Sequence, residues 1–225
     1  MTTIYRMVSS GFLSRLFKGL VYRFLRLVSR MLVVCLCDFR THGRHHLKGI
    51  EGAILLSTHQ SMLDPVLVGI CDNERLNYIA RKTLFRNKLF ALLIRTLDAI
   101  EIDRDRGGLA GLKVMLKRLQ NNKRVLLFPE GTRTTDGNIG SLKMGFIPIA
   151  RRSQVPLIPI AIVGAYRILP RGQNFPQPQS LAVVFGPPIM PDELQTLDDV
   201  GLGDRLTREL DACKAKGEKL TGGLS

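Results

Sequence analysis

His59 and Asp64 stand five residues apart in Thr58-His-Gln-Ser-Met-Leu-Asp64, directly after the apolar run Ala53 to Thr58. On a continuous helix that spacing sets two side chains about 140° apart, so they meet only where a turn folds the segment back. A strand-to-helix corner supplies such a turn. There the carboxylate accepts a hydrogen bond from one imidazole nitrogen and leaves the other free to take a proton from an incoming hydroxyl. This is general-base chemistry on an alcohol. It needs no protein nucleophile, so Ser61 has no such part in it. Taken alone, the spacing also fits a structural histidine near a helix N-cap.

Phe128-Pro-Glu-Gly-Thr-Arg133 follows a second apolar run, Arg124 to Leu127. Gly131 permits a tight turn, which lets backbone amides and the Arg133 fork converge on the oxygens of a phosphate. Glu130 either orients Arg133, binds hydroxyls of an acceptor, or forms a purely structural pair with the arginine.

The apolar runs Ala53–Thr58, Arg124–Phe128, Leu157–Val163 and Leu181–Phe185 read as strands. Helical stretches lie at Pro65–Gly69, Asn87–Leu97 and Gly107–Gln120. Interleaved in this way they define an α/β class with a mainly parallel central sheet flanked by helices, in which sites gather at strand C-termini. Gly172 to Ser180 reads as a surface loop, and a short helix at about Asp204 to Lys214 precedes a frayed tail.

Residues 11–33 carry helical periodicity, with Arg15, Lys18, Arg23, Arg26 and Arg30 in one arc and apolar side chains over the rest. Cations spread through the segment oppose insertion across a bilayer and favour a helix lying in the membrane interface, the alternative being a helix docked with its basic side in water. Met31 to Cys37 reads as a second helix or a partial insertion. The expected organisation is a membrane-associating segment over 1–39 and a catalytic domain over 40–225.

Thirty-three Lys and Arg against 19 Asp and Glu give a net charge of +14, which calls for an anionic partner. Nucleic acid is not expected, because there is no Trp and aromatics make up only 6 %, too few for a stacking surface. A non-catalytic lipid-binding protein is the other competing class. The cysteines are irregularly spaced and no cleaved signal is read, so a reduced setting on the cytoplasmic face of a membrane is expected, peripheral or monotopic. His42, His45, His46 and Cys37 lack regular ligand spacing, and no metal is expected.

Four blocks occur in order: His59 to Asp64, Ile102-Asp-Arg104, Phe128 to Arg133 and Val155-Pro-Leu-Ile-Pro-Ile160. In this the chain resembles the glycerolipid acyltransferase family, of the bacterial 1-acylglycerol-3-phosphate acyltransferase type. The resemblance implies that His59 and Asp64 are catalytic and that Glu130, Gly131, Thr132 and Arg133 belong to an acceptor phosphate site. Arg104, Lys82 and Lys143 are implied nearby. It also implies a lysophospholipid acceptor, an acyl-CoA or acyl carrier protein thioester as co-substrate with no cofactor, and an oxyanion held by donors near the Gly131 turn. Three positions depart from the pattern. Thr58 replaces a frequent asparagine, while Asp98 and Glu101 stand where glycine and phenylalanine are commoner. The resemblance makes 1-acylglycerol-3-phosphate, giving phosphatidate, the expected acceptor; carboxylates close to Arg104 would temper its pull on phosphate and keep open the alternative of another lyso-lipid, such as lyso-ornithine lipid.

Overall fold

The computed structural model describes residues 2–102, 109–170, 173 and 175–222. Seven strands form one sheet: β1 (Asp38–His42), β2 (Ala53–Ser57), β3 (Leu76–Arg81), β4 (Ala99–Ile102), β5 (Arg124–Leu127), β6 (Leu157–Val163) and β7 (Ser180–Phe185). Their order is β1-β7-β6-β2-β5-β3-β4, and every pairing is parallel except β6 with β7.

Helices cover both faces: α1 (Thr2–Leu36), α2 (Asp64–Cys71), α3 (Lys88–Thr96), α4 (Leu109–Gln120), α5 (Ile147–Ser153), α6 (Ala165–Ile168), α7 (Pro191–Thr196) and α8 (Asp199–Leu220). The two-sided cover explains the unbroken apolar runs. In β2, Leu55 joins Leu67, Val68 and Ile158 in one core, whereas Ile54 and Leu56 join Met115, Ile147 and Leu206 in the other. Alternate residues point to opposite faces, and both faces are dry.

Three strands carry no clear apolar signature. β1 and β4 are the sheet edges, each with one ladder neighbour, and β1 reads Asp-Phe-Arg-Thr-His with four of five residues exposed. Polar edges discourage further pairing. β3 mixes Asn77 with Tyr78 and Ile79.

The C-terminal helix is 22 residues long, well beyond the short helix expected, and it continues to Leu220, into the segment expected to be a frayed tail. Asp198 caps it by accepting from the amide of Gly201 at 2.7 Å. Its glycines permit close packing: a Cβ on Gly217 would lie 2.6 Å from a methyl of Val163.

Residues 2–36 form one helix with no second element at Met31. Arg15 and Lys18 lie outside the residues whose side chains are described. From Gly19 onward, α1 turns Tyr22, Leu25, Arg26 and Ser29 toward the body and leaves Leu20, Phe24, Leu27, Met31 and Val34 exposed. The helix is thus docked on the body through Tyr22, Leu25 and Val33, with Arg23 and Arg30 exposed beside a row of exposed apolar side chains. Among the described residues no helix is long and apolar enough to cross a membrane.

Candidate active site

β2, β5, β3 and β4 are consecutive neighbours in the sheet and mutually parallel. Their C-terminal ends lead into His59, the 129–133 turn, Lys82 and residue 103 respectively. One sheet edge therefore gathers residues that lie up to 74 positions apart in sequence.

At the first of these ends the chain turns as soon as β2 stops. Thr58 is buried. Its hydroxyl oxygen accepts the Ile162 amide at 2.9 Å, which pins the departing chain to β6. The departure at Thr58 thus serves the sheet. The carboxylate of Asp64, first residue of α2, reaches back: its Oδ2 accepts from His59 Nδ1 at 2.8 Å and from the amides of Gln60 at 2.6 Å and Ser61 at 2.8 Å. Pro65 costs the helix nothing here, because an amide in the first turn has no intrahelical partner.

Asp64 is fully buried, and burial pushes its carboxyl above the usual range against the pull of His59 and the two amides. The bond at Nδ1 fixes the neutral imidazole as the tautomer whose Nε2 lone pair is free. Nε2 has no partner among the described residues. Phe128, which sequence reasoning passed over as part of a strand, stacks on the ring with centroids 4.0 Å apart and planes 19° apart. Ser61 is buried, with its hydroxyl directed at the carbonyl of Leu169.

Glu130 does not pair with Arg133. Its Oε1 accepts the His59 amide at 2.7 Å and its Oε2 the Gly140 amide at 2.9 Å, so this buried carboxylate ties the His59 corner to the loop after β5. Burial raises its pKa, opposed by those two amides. A third tie runs from the Thr134 amide to the His59 carbonyl at 2.8 Å.

Gly131 has φ +68°, the left-handed region in which a side chain is strained. Its own amide closes the turn on the Phe128 carbonyl at 3.0 Å, which removes it as an oxyanion donor. The amides of Thr132 and Arg133 have no acceptor among the described residues. Lys143 folds over the turn: its Nζ lies 3.0 Å from the place a Gly131 Cβ would occupy, and its amide donates to the Pro129 carbonyl at 2.9 Å. Neither the Arg133 guanidinium nor the Lys143 ammonium has a protein partner among the described residues, so two cations converge on one turn with their donors unspent.

Thr132 is exposed on the same turn, and Lys82 is exposed directly after β3, two strands from His59. Arg104 lies outside the described residues. The nearby carboxylates have partners of their own: Asp98 takes the Arg75 guanidinium at 2.8 Å and Glu101 lies 3.6 Å from Arg95. Asp98 also adopts φ +60°, which explains why glycine suits that position. A cavity of about 200 Å³ opens on the β6 side, lined by Gln60, Tyr166, Arg167 and Lys214 but not by His59. No group of His, Cys, Asp and Glu among the described residues is arranged to hold a metal ion.

A buried carboxylate orienting an imidazole, placed beside a cationic turn at the edge of a parallel sheet, is a site for activating a hydroxyl next to an anion. The Acyltransferase family model matches residues 38–163, more than half of the sequence, and the chain belongs to that family. Among its relatives is the 1-acyl-sn-glycerol-3-phosphate acyltransferase of Bacillus subtilis, 27 % identical over 145 residues that make up 64 % of this chain and 72 % of that one. The protein of that name from Limnanthes douglasii is 28 % identical over 71 % of this chain, and the match spans 58 % of its own length. The mouse enzyme named alpha is 33 % identical over 70 % of this chain and 56 % of its own. The crystal structure of the 1-acyl-sn-glycerophosphate acyltransferase PlsC from Thermotoga maritima superposes with a TM-score of 0.75. It covers 88 % of this chain and 81 % of that one at 22 % identity, a likeness of fold.

Proposed function

We propose that this acyltransferase moves a fatty acyl group from a thioester donor to the free hydroxyl of 1-acyl-sn-glycerol-3-phosphate, giving phosphatidate. The observation that carries the reading is the adjacency of the His59–Asp64 pair to Arg133 and Lys143, two cations without protein partners among the described residues. Named relatives of bacterial, plant and animal origin support the choice of acceptor.

In this mechanism His59 Nε2 takes the proton of the acceptor hydroxyl as its oxygen attacks the thioester carbonyl carbon. The amides of Thr132 and Arg133 face the developing oxyanion. The carbon–sulfur bond then breaks, and the imidazolium returns its proton to the leaving thiolate. Ester and thiol are the products, and the protein is unchanged. Arg133 and Lys143, with Lys82 and Arg104 beyond, grip the acceptor phosphate, and the donor is acyl-CoA or an acyl carrier protein. The apolar outer side of α1 lies in the membrane interface, where a helix of this kind meets lipid-borne substrates, so the segment 1–39 serves attachment and 40–225 chemistry.

Acyl transfer by the purified protein, measured against a panel of lyso-lipids with both donors, tests the reading. Turnover of lysophosphatidate is expected. Turnover of lyso-ornithine lipid alone would replace the acceptor, and no transfer to any lyso-lipid would remove the function. Arg133→Ala is expected to raise the acceptor KM roughly tenfold to a hundredfold, the loss of a charge-assisted contact of about 1.5–3 kcal/mol. An unchanged KM takes Arg133 out of the phosphate site. Glu130→Gln is expected to act differently, lowering kcat about tenfold through a displaced His59 while the acceptor KM stays within about twofold. A raised KM at intact kcat would instead place Glu130 on the acceptor.

A further inference from the structure

At the sheet edge opposite His59, three guanidiniums gather where α1 crosses the connection from α2 to β3. Arg26 donates to the Asn73 carbonyl and to its side-chain Oδ1, both at 3.2 Å, and Arg44 donates to that same Oδ1 at 3.3 Å. Two like charges thus share one neutral oxygen through long bonds, where a guanidinium on an anion makes bonds of about 2.7–2.9 Å. Arg30 follows Arg26 by one turn and makes no hydrogen bond among the described residues. The Cys71 thiol senses all three: burial pushes it up to about 12, while Arg44, Arg30 and Arg26 pull against that rise.

Asp72 lies within electrostatic reach of Arg26, but no carboxylate among the described residues forms an ion pair with the cluster. Asp72 is engaged by Arg124, Asp98 by Arg75, and Glu74 lies in the exposed part of the connection. None of the ion pairs among the described residues involves Arg26, Arg30 or Arg44. The Nε of Arg44 is buried without a partner. Donors outnumber acceptors, and the groups are the planar forks that match an oxyanion carrying several oxygens.

We propose that Arg26, Arg30 and Arg44 form a site for the phosphate of an anionic phospholipid that is neither acceptor nor product, held beside α1. Charge complementarity names the headgroup, and the exposed Phe24, Leu27 and Met31 on the same helix receive its chains. The proposal rests on the reading that α1 lies in the interface. Because the cluster sits at the strand N-terminal edge, next to Leu76 and Arg124, this lipid does not compete with substrate.

The test is calorimetric titration of the full chain with monomeric dihexanoyl phosphatidylglycerol, which senses a site rather than a charged surface. Arg133→Ala, which disables the cradle near His59, is expected to retain the binding. Arg30→Gln, which gives up no hydrogen bond among the described residues, should weaken it about fivefold, and Arg26→Gln with Arg44→Gln about thirtyfold. Binding lost in Arg133→Ala, binding unchanged in the cluster variants, or inorganic phosphate bound as tightly as the lipid would each overturn the site. Vesicle flotation keeps the two readings apart: a wild-type chain that ignores all vesicles defeats the interface assignment, whereas flotation without monomer binding defeats the site alone.

Discussion

His59→Ala is expected to fold with nearly wild-type stability and to lose about 10² to 10⁴ in the rate of acyl transfer, the contribution of a positioned general base. The imidazole is 19 % exposed, and its one hydrogen bond is to an aspartate that keeps two backbone amides when the ring is gone. The loss therefore falls on the reaction and not on the scaffold. Among the described residues no neighbour can substitute. Ser61 is buried and bonded, both Glu130 oxygens hold amides, and Asp64 is enclosed. In the proposed mechanism the anion is gripped by groups after β5, so the acceptor KM should stay within about threefold. Steady-state kinetics with lysophosphatidate, paired with a melting curve, reads both quantities. Wild-type kcat in a folded His59→Ala chain would remove the base from the mechanism, and a collapsed melting temperature would make His59 structural.

The corner that pairs His59 with Asp64 was more legible than the scaffold around it. His59, Asp64 and Arg133 announce themselves because few residue types can move a proton or fork onto a phosphate, and each follows an apolar run buried on both faces. Edge strands carry no such mark. Asp38–His42 and Ala99–Ile102 each meet one neighbour, so their sequences answer to solvent as much as to the core. The reach of α8 was hidden for another reason: whether Gly217 breaks a helix or admits a close contact depends on what faces it, and Val163 is 54 positions away. Glu130 shows the limit at single-residue scale. An acid three residues before Arg133 invites a pairing with it, yet both its oxygens go to backbone amides, those of His59 and Gly140. Backbone partners leave no trace in residue type.

Those ties also explain why the cationic turn and the imidazole keep a fixed relation. His59 is held through its ring by Asp64, through its amide by Glu130 and through its carbonyl by Thr134. Two of the three come from the segment that carries Arg133. A displacement of the turn after β5 must therefore move the base with it, which is how a site assembled from two strand ends retains the spacing that a hydroxyl and its phosphate demand.

Arg124→Ala is expected to destabilise the fold by about 3–5 kcal/mol, because it strips a buried carboxylate of its counterion. Arg124 opens β5 and is 6 % exposed. One arm of its guanidinium engages Asp72 and the other donates to the carbonyls of Leu47 at 3.0 Å and Ile50 at 2.6 Å. Truncation leaves two buried acceptors and the part-buried Ile50 carbonyl short of a donor. Burial already pushes Asp72 upward, with Arg124 as the chief opposing pull, so the lone carboxyl must take a proton or admit water. Because Arg124 stands at the opposite end of β5 from Phe128, kcat of the folded fraction should hardly change. Urea unfolding at constant slope measures the loss. Replacing both partners, Asp72→Leu with Arg124→Met, separates charge from packing. The double variant should be less destabilised than Arg124→Ala, since no buried charge is left behind. A single variant that loses under about 1 kcal/mol, or a pair no better than the single, would mean that solvent reaches this corner and that the two charges do not hold β5 to the connection before β3.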